Sequence, residues 1–157
     1  MTPDEFVRSL QTRAPAPAYL FLGPESYGRD RCRQALIEKA LPPEDRESGF
    51  IRHDLDDVDL VSILDDAQSF SLFASSRIIW VTGAESALPR GRASANSGED
   101  GETGGKDKAV NGLAGWVRNP VPGTVLVFDS SRFEFDGEDK AKIQRVQKFY
   151  SAIREQV

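Results

Sequence analysis

Three short apolar runs constrain the fold of this chain more than any other feature. They are Tyr19–Leu22, Ile78–Val81 and Val125–Phe128, and each has the length of a β-strand rather than a helix. Successive side chains of a strand point to opposite faces of the sheet, so a strand without polar positions needs an apolar cover on both sides. Such strands are typical of parallel sheets that lie between layers of helices.

Helical patterns alternate with these strands along the chain. A capping box, with Thr2 as N-cap and Glu5 three residues later, predicts a first helix that ends near Gln11. The further predicted elements are, in chain order, strand 19–22, helix 27–40, strand 49–53, helix 58–68, strand 77–82, helix 107–118, strand 124–128 and helix 137–155. This alternation predicts an α/β fold, with a parallel sheet and helices on both faces.

Composition excludes several kinds of function. The chain has 157 residues, enough for one domain, and its single cysteine, Cys32, rules out an internal disulfide and agrees with a cytoplasmic location. With one His and one Cys we expect no metal site. A net charge of −5 argues against direct binding to DNA, and no apolar run is long enough to span a membrane. Arg31 and Arg33, which flank Cys32, favour a lowered thiol pKa.

Residues 91–106 contain five glycines and no Val, Ile, Leu or Phe. Such a segment buries too little apolar surface to offset the entropy lost on ordering. We therefore expect a mobile, low-complexity insert here.

A glycine loop follows the first strand, with Gly23 and Gly28 five residues apart and a helix after them. This is the context of a phosphate-binding loop, but Arg29 and Asp30 stand where the lysine and the Mg²⁺-binding hydroxyl belong. We interpret the loop as degenerate, without a nucleotide cofactor, and expect Arg29 and Asp30 to be solvated or capping residues. An enzyme that binds nucleotide with Arg29 in place of lysine remains the alternative.

A second motif, Gln68-Ser69-Phe70-Ser71-Leu72-Phe73, lies just before the strand that begins at Arg77. We call these six residues the docking segment. Large hydrophobic side chains at an exposed helix end or turn are suited to a pocket on a partner protein. The alternative is that Phe70, Leu72 and Phe73 are ordinary core residues.

The docking segment resembles the clamp-binding element of the delta-subunit family of the bacterial DNA polymerase III clamp loader. The likeness covers roughly Tyr19 to Glu155: a strand ending in Gly-Pro-Glu, an Arg-Asp start to the next helix, Ser-Leu-Phe-Ala-Ser before the third strand, and Thr-Val-Leu-Val-Phe after a proline-rich turn. It implies an AAA+-like (P-loop NTPase-like) fold that has lost ATP binding. It also implies a single N-terminal domain, residues 1–157, that is a truncated part of a longer chain.

The resemblance further implies a non-catalytic subunit of the polymerase holoenzyme that binds and opens the ring-shaped sliding clamp, the beta subunit, during DNA replication. Leu72 and Phe73 would enter the clamp's pocket, Gln68 would bond at its rim, and Phe70 and Ser71 would shape the peptide. Other loader subunits would bind through regions outside this sequence, and DNA only indirectly.

Overall fold

A computed structural model describes residues 1–72, 74–89 and 99–157, without the side chains of residues 99–103. Five helices and four strands are described in these ranges. In chain order they are α1 (Pro3–Thr12), β1 (Ala18–Leu22), α2 (Ser26–Ala40), β2 (Phe50–Asp54), α3 (Leu60–Gln68), β3 (Arg77–Thr82), α4 (Glu99–Arg118), β4 (Thr124–Ser130) and α5 (Lys140–Phe149). The first helix has the predicted capping box, in which the Glu5 amide donates to Thr2 Oγ1 and the Thr2 amide to Glu5.

The four strands form one parallel sheet in the order β1-β4-β3-β2. β3 lies inside the sheet, where it pairs with β2 on one side and β4 on the other. Residues 155–157 pair in parallel with the outer side of β1, through an amide of Val157 that donates to the Leu20 carbonyl at 2.8 Å. The α/β prediction is confirmed.

Each face of the sheet has its own core, as the apolar strands predicted. One core joins α1 and α2 to the side chains of one face and contains Phe6, Tyr19, Phe21, Cys32, Leu36, Ile78, Trp80 and Val127. The other joins α3, α4 and α5 to the opposite face and contains Leu20, Ile63, Leu64, Ile79, Val81, Leu113, Trp116, Phe128, Val146 and Tyr150. No described helix is both long and apolar enough to cross a membrane.

Two helices, α4 and α5, have boundaries that differ from the prediction by three residues or more. α4 begins at Glu99 rather than Asp107, so the predicted insert is helical over 99–106, while residues 90–98 lie outside the described residues. Once a buried segment anchors a helix, adding polar turns to it costs less than nucleating a new one. Packing of the end that contains Ala109 and Leu113 therefore extends the helix into a sequence of low propensity.

The last helix is shorter than predicted. A 3₁₀ turn at Gly137–Asp139 precedes α5, which ends at Phe149 instead of Glu155. The buried Tyr150 hydroxyl donates to the Ala84 carbonyl at 2.6 Å, and the chain beyond it is extended and pairs with β1. The helical pattern thus gives way to a tertiary hydrogen bond and a strand pairing that local sequence does not reveal.

Candidate docking site and glycine loop

The docking segment connects α3 to β3 at the amino-terminal edge of the sheet. Ser69 caps α3: its amide donates to the Asp66 carbonyl at 3.1 Å, and its hydroxyl to the Asp65 carbonyl at 3.1 Å. Two of the next three side chains project into solvent: Phe70 is 88% exposed and Leu72 is 93% exposed. Scattered exposed apolar residues are common, but two at nearly full exposure within three positions form a patch that points to binding.

Arg77, the first residue of β3, fixes the near end of this segment. Its side chain is buried, and Nη2 donates to the carbonyls of Asp66, Ala67 and Ser69 at 3.1, 3.2 and 2.6 Å. These carbonyls lie at and just after the end of α3, where the regular amide donors four residues further along the helix are absent. Nη1 also lies 3.9 Å from the Asp66 carboxylate. One arginine thus ties the helix end to the strand that follows the loop.

Asp45 fixes the far end of the segment. This carboxylate is buried, and its Oδ2 accepts from the Ser75 hydroxyl at 3.0 Å and from the Ser76 amide at 3.3 Å. Just before them, the buried Ala74 donates its amide to Ser71 Oγ at 3.2 Å. The exposed residues therefore lie on a loop whose two ends are held by hydrogen bonds within the protein.

The structure places the predicted site residues as follows. Gln68 is exposed at the last position of α3, and Ser71 is half-buried beneath the turn. Phe70 and Leu72 are outside both cores, so the alternative that they are core residues is wrong. Phe73 lies outside the described residues. Exposure is what docking requires, whereas docking itself stays a prediction.

The glycine loop lies at the opposite, carboxyl-terminal edge of the sheet. Gly23 adopts φ +94°, a conformation that favours glycine, and a Cβ there would lie 2.9 Å from the Phe135 ring. At the start of α2, the Glu25 carboxylate accepts the amides of Tyr27 and Gly28 at 2.7 and 2.6 Å. Amides at a helix start are those that bind phosphate in a functional loop. Here a carboxylate of the chain itself takes them.

Arg29 was expected to be a solvated or a capping residue; it is mostly buried, so the solvated environment is wrong. Its Nε lies 2.8 Å from Asp129 Oδ1, and its other nitrogens donate to the carbonyls of Gly23 and Glu25. Trp80 Nε1 donates to Asp129 Oδ2 at 3.2 Å. Burial raises the pKa of Asp129, and the charge of Arg29 and the Trp80 bond oppose that rise only in part. A buried arginine requires such a partner, since an unpaired charge is costly to bury.

The last two residues singled out in the sequence are Asp30, in the glycine loop, and Cys32. Asp30 is exposed and lies 2.8 Å from Arg33. Cys32 is fully buried, and burial raises its thiol pKa to about 11, so the predicted lowering is wrong. Arg31 does oppose the rise, but desolvation of the thiolate outweighs it.

Sequence reasoning missed Arg77 and Asp45 as supports of the docking segment. Both are buried charged side chains whose partners are distant in sequence, and Asp45 bonds residues 30 and 31 positions away. One signal was available for Arg77: a charged residue that opens a strand covered on both faces needs internal acceptors. Nothing in the local sequence marked Asp45.

Comparison with known proteins adds the family. The model of the family "DNA polymerase III, delta subunit" matches residues 19–149. Among solved structures, the DNA clamp loader delta protein YqeN of Bacillus subtilis is similar, with a TM-score of 0.64, 17% identity, and coverage of 99% of this chain and 42% of that one. A gamma subunit-related protein of DNA polymerase III from Thermotoga maritima has a TM-score of 0.52 and 14% identity, with coverage of 100% and 45%.

At these identities the structural matches show the fold alone, and the chain spans less than half the length of either protein. No curated protein matches this sequence. The family model, in contrast, covers most of the chain, including both the glycine loop and the docking segment. This chain therefore belongs to the delta-subunit family of DNA polymerase III, a component of the clamp loader.

Proposed function

We propose that this domain binds the sliding clamp through its docking segment and helps to open the ring during loading. The observation that carries the proposal is the exposure of Phe70 and Leu72, at 88% and 93%, on a loop that is anchored at both ends. Membership of the delta-subunit family supports it, as does the likeness of the segment to the family's clamp-binding element.

The two exposed side chains are large enough to contribute substantially to the free energy of binding. Burying each in an apolar pocket would contribute about 1.5–3 kcal/mol. An aromatic anchor in a closed pocket is a frequent form of interface hot spot. Because Arg77 and Asp45 already hold the backbone, less conformational entropy is lost when the partner binds. Leu72 and Phe73 would enter the pocket, Phe70 would add a further anchor, and Gln68 would bond at the rim.

The proposed role is non-catalytic. Other loader subunits would bind through parts of the protein outside these residues, and DNA would be contacted only indirectly because the chain carries a net charge of −5. The competing hypothesis, a nucleotide enzyme that uses Arg29, gains no support from the geometry. Arg29 is engaged by Asp129, and Glu25 occupies the amides that would receive a phosphate.

Calorimetric titration against the cognate sliding clamp tests the proposal. Phe70→Ala and Leu72→Ala should each weaken binding about tenfold or more, and Leu72→Ala combined with Phe73→Ala should abolish it. Phe135→Ala is the matched control, because this phenylalanine is 54% exposed but lies at the opposite edge of the sheet. Clamp binding that ignores the docking-segment variants would reject the assignment.

A thermal-shift measurement with Mg-ATP tests the nucleotide alternative. A ligand that binds only the folded protein raises its melting temperature by mass action. We expect no shift at millimolar nucleotide. A rise that Arg29→Met removes would favour the enzyme instead.

A further inference from the structure

A second surface feature lies at the same edge of the sheet as the docking segment. It is a groove of about 330 Å³ at the amino ends of β1 and β4, lined by residues 14–17, residues 120–125, and Lys39 and Ala40 of α2. We call it the proline groove, because four of its lining residues are Pro15, Pro17, Pro120 and Pro122. Apart from Lys39, its lining side chains carry no charge.

The walls of the proline groove are fixed in place. The Ala16 amide donates to the Tyr19 hydroxyl at 2.7 Å. The Pro17 carbonyl accepts from both Trp116 Nε1 at 2.9 Å and the Leu126 amide at 3.0 Å. Proline also restricts the backbone itself. The groove is thus preformed, which lowers the entropic cost of filling it.

The groove wall touches the chain that carries the docking segment. The Gly123 carbonyl accepts from the Arg77 amide at 2.8 Å. Gly123 has φ +81°, and a Cβ on it would lie 2.7 Å from the Ser75 carbonyl oxygen, so the two backbones are in direct contact. Arg77 therefore links both features: its side chain holds the near end of the docking segment, and its amide holds the groove wall.

Interface size indicates that the docking segment is not enough by itself. A stable protein–protein interface buries about 800 Å² on each partner. An aromatic side chain such as that of Phe70 buries about 150–250 Å², and Leu72 buries less. The rest must come from adjacent surface, and the proline groove is preformed, mostly apolar and in contact with the chain just after the segment, at Ser75 and Arg77.

The geometry points to the proline groove as a second contact for the clamp, one that receives an apolar side chain of the same ring protein that binds Phe70 and Leu72. This inference rests on the proposed function and deepens it. The ring is the fitting occupant because the groove lies at the same edge of the sheet as Phe70 and Leu72, and because a lining whose one charged side chain is that of Lys39 suits an apolar group.

Two alanines offer a matched test in the whole protein. Ala14 is exposed at the groove, and Ala141 is exposed on α5, near the opposite edge of the sheet. Ala14→Glu places a carboxylate in the apolar groove, while Ala141→Glu adds the same charge elsewhere. In titrations against the cognate clamp, Ala14→Glu should weaken binding about fivefold or more, which corresponds to about 1 kcal/mol. Ala141→Glu should leave the affinity at the wild-type value.

Leu72→Ala separates this inference from the proposed function. If Leu72→Ala weakens binding but Ala14→Glu does not, the groove is not a contact and the docking segment acts without it. If both glutamate variants weaken binding equally, the effect is one of net charge and the groove is again rejected. If the wild-type protein does not bind the clamp, the proposed function fails and the inference fails with it. Equal thermal melting of the two variants excludes unfolding as the cause.

Discussion

Arg77→Met should destabilise the fold and also weaken clamp binding, because one guanidinium supports the docking segment. Nη2 has three carbonyl oxygens within 3.2 Å and carries two hydrogens, so two hydrogen bonds form at a time. A hydrogen bond to a charged group contributes about 1.5–3 kcal/mol. Substitution by methionine removes the free-energy cost of burying a charge, but the carbonyls lose their guanidinium donor and must be hydrated by water instead. We expect the free energy of unfolding to fall by about 2–4 kcal/mol.

The expected loss of clamp affinity follows from a loss of order in the docking segment. Without Arg77, Phe70 and Leu72 must be ordered at the moment of binding, at a cost of about 0.5–1.5 kcal/mol for each side chain. The affinity should then fall about fivefold or more. Urea unfolding measures the stability, and calorimetric titration at a temperature where the variant is folded measures the affinity.

Arg31→Met is the control for both measurements, because Arg31 is exposed and pairs with an exposed Asp4 on another part of the surface. It should change the unfolding free energy by less than about 0.5 kcal/mol. If Arg77→Met has the same midpoint urea concentration of unfolding as the wild-type protein, the three carbonyl contacts do not stabilise the fold. If it is less stable but binds the clamp with wild-type affinity, preorganisation of the docking segment is refuted.

Three other substitutions probe the remaining buried features by urea unfolding. Asp129→Asn should cost about 3 kcal/mol because it leaves Arg29 buried without a counter-charge, and a loss under about 1 kcal/mol would mean that Arg29 reaches water. Burial raises the thiol pKa of Cys32 from 9.0 in the unfolded protein to about 11 in the folded protein. The free energy of unfolding should therefore fall as the pH rises between those two values, and it should fall less steeply in Cys32→Ala. Equal slopes of stability against pH in the two proteins would contradict this expectation. Gly123→Ala should cost about 1–3 kcal/mol through its positive φ and the Ser75 carbonyl, and wild-type stability would disprove that strain.

The sequence predicted those parts of the fold that local patterns specify. The runs at Tyr19 and Ile78 gave strands because uninterrupted apolar residues have few other ways to be buried. The start of α1 was predicted because Thr2 and Glu5 bond within one turn. Helix ends that depend on distant partners were placed wrongly, as with α5, where Tyr150 bonds to Ala84.

The candidate site was predicted in part for the same reason. Large hydrophobic residues between a predicted helix and a predicted strand indicated an exposed docking segment, and Phe70 and Leu72 are exposed. The supports of that segment were not found, because an arginine or aspartate is normally a surface residue. The bonds of Arg77 and Asp45 join residues that only tertiary folding brings together.

The attachment of the docking segment to β3 has a mechanical consequence. β3 is an inner strand, with parallel partners along its whole length on one side and most of it on the other. A pull on Leu72 directed along β3 would load two rows of evenly spaced hydrogen bonds in shear, so they would have to break together rather than one after another. If the docking segment binds the clamp as proposed, the domain would transmit tension to the ring while its own sheet stays intact.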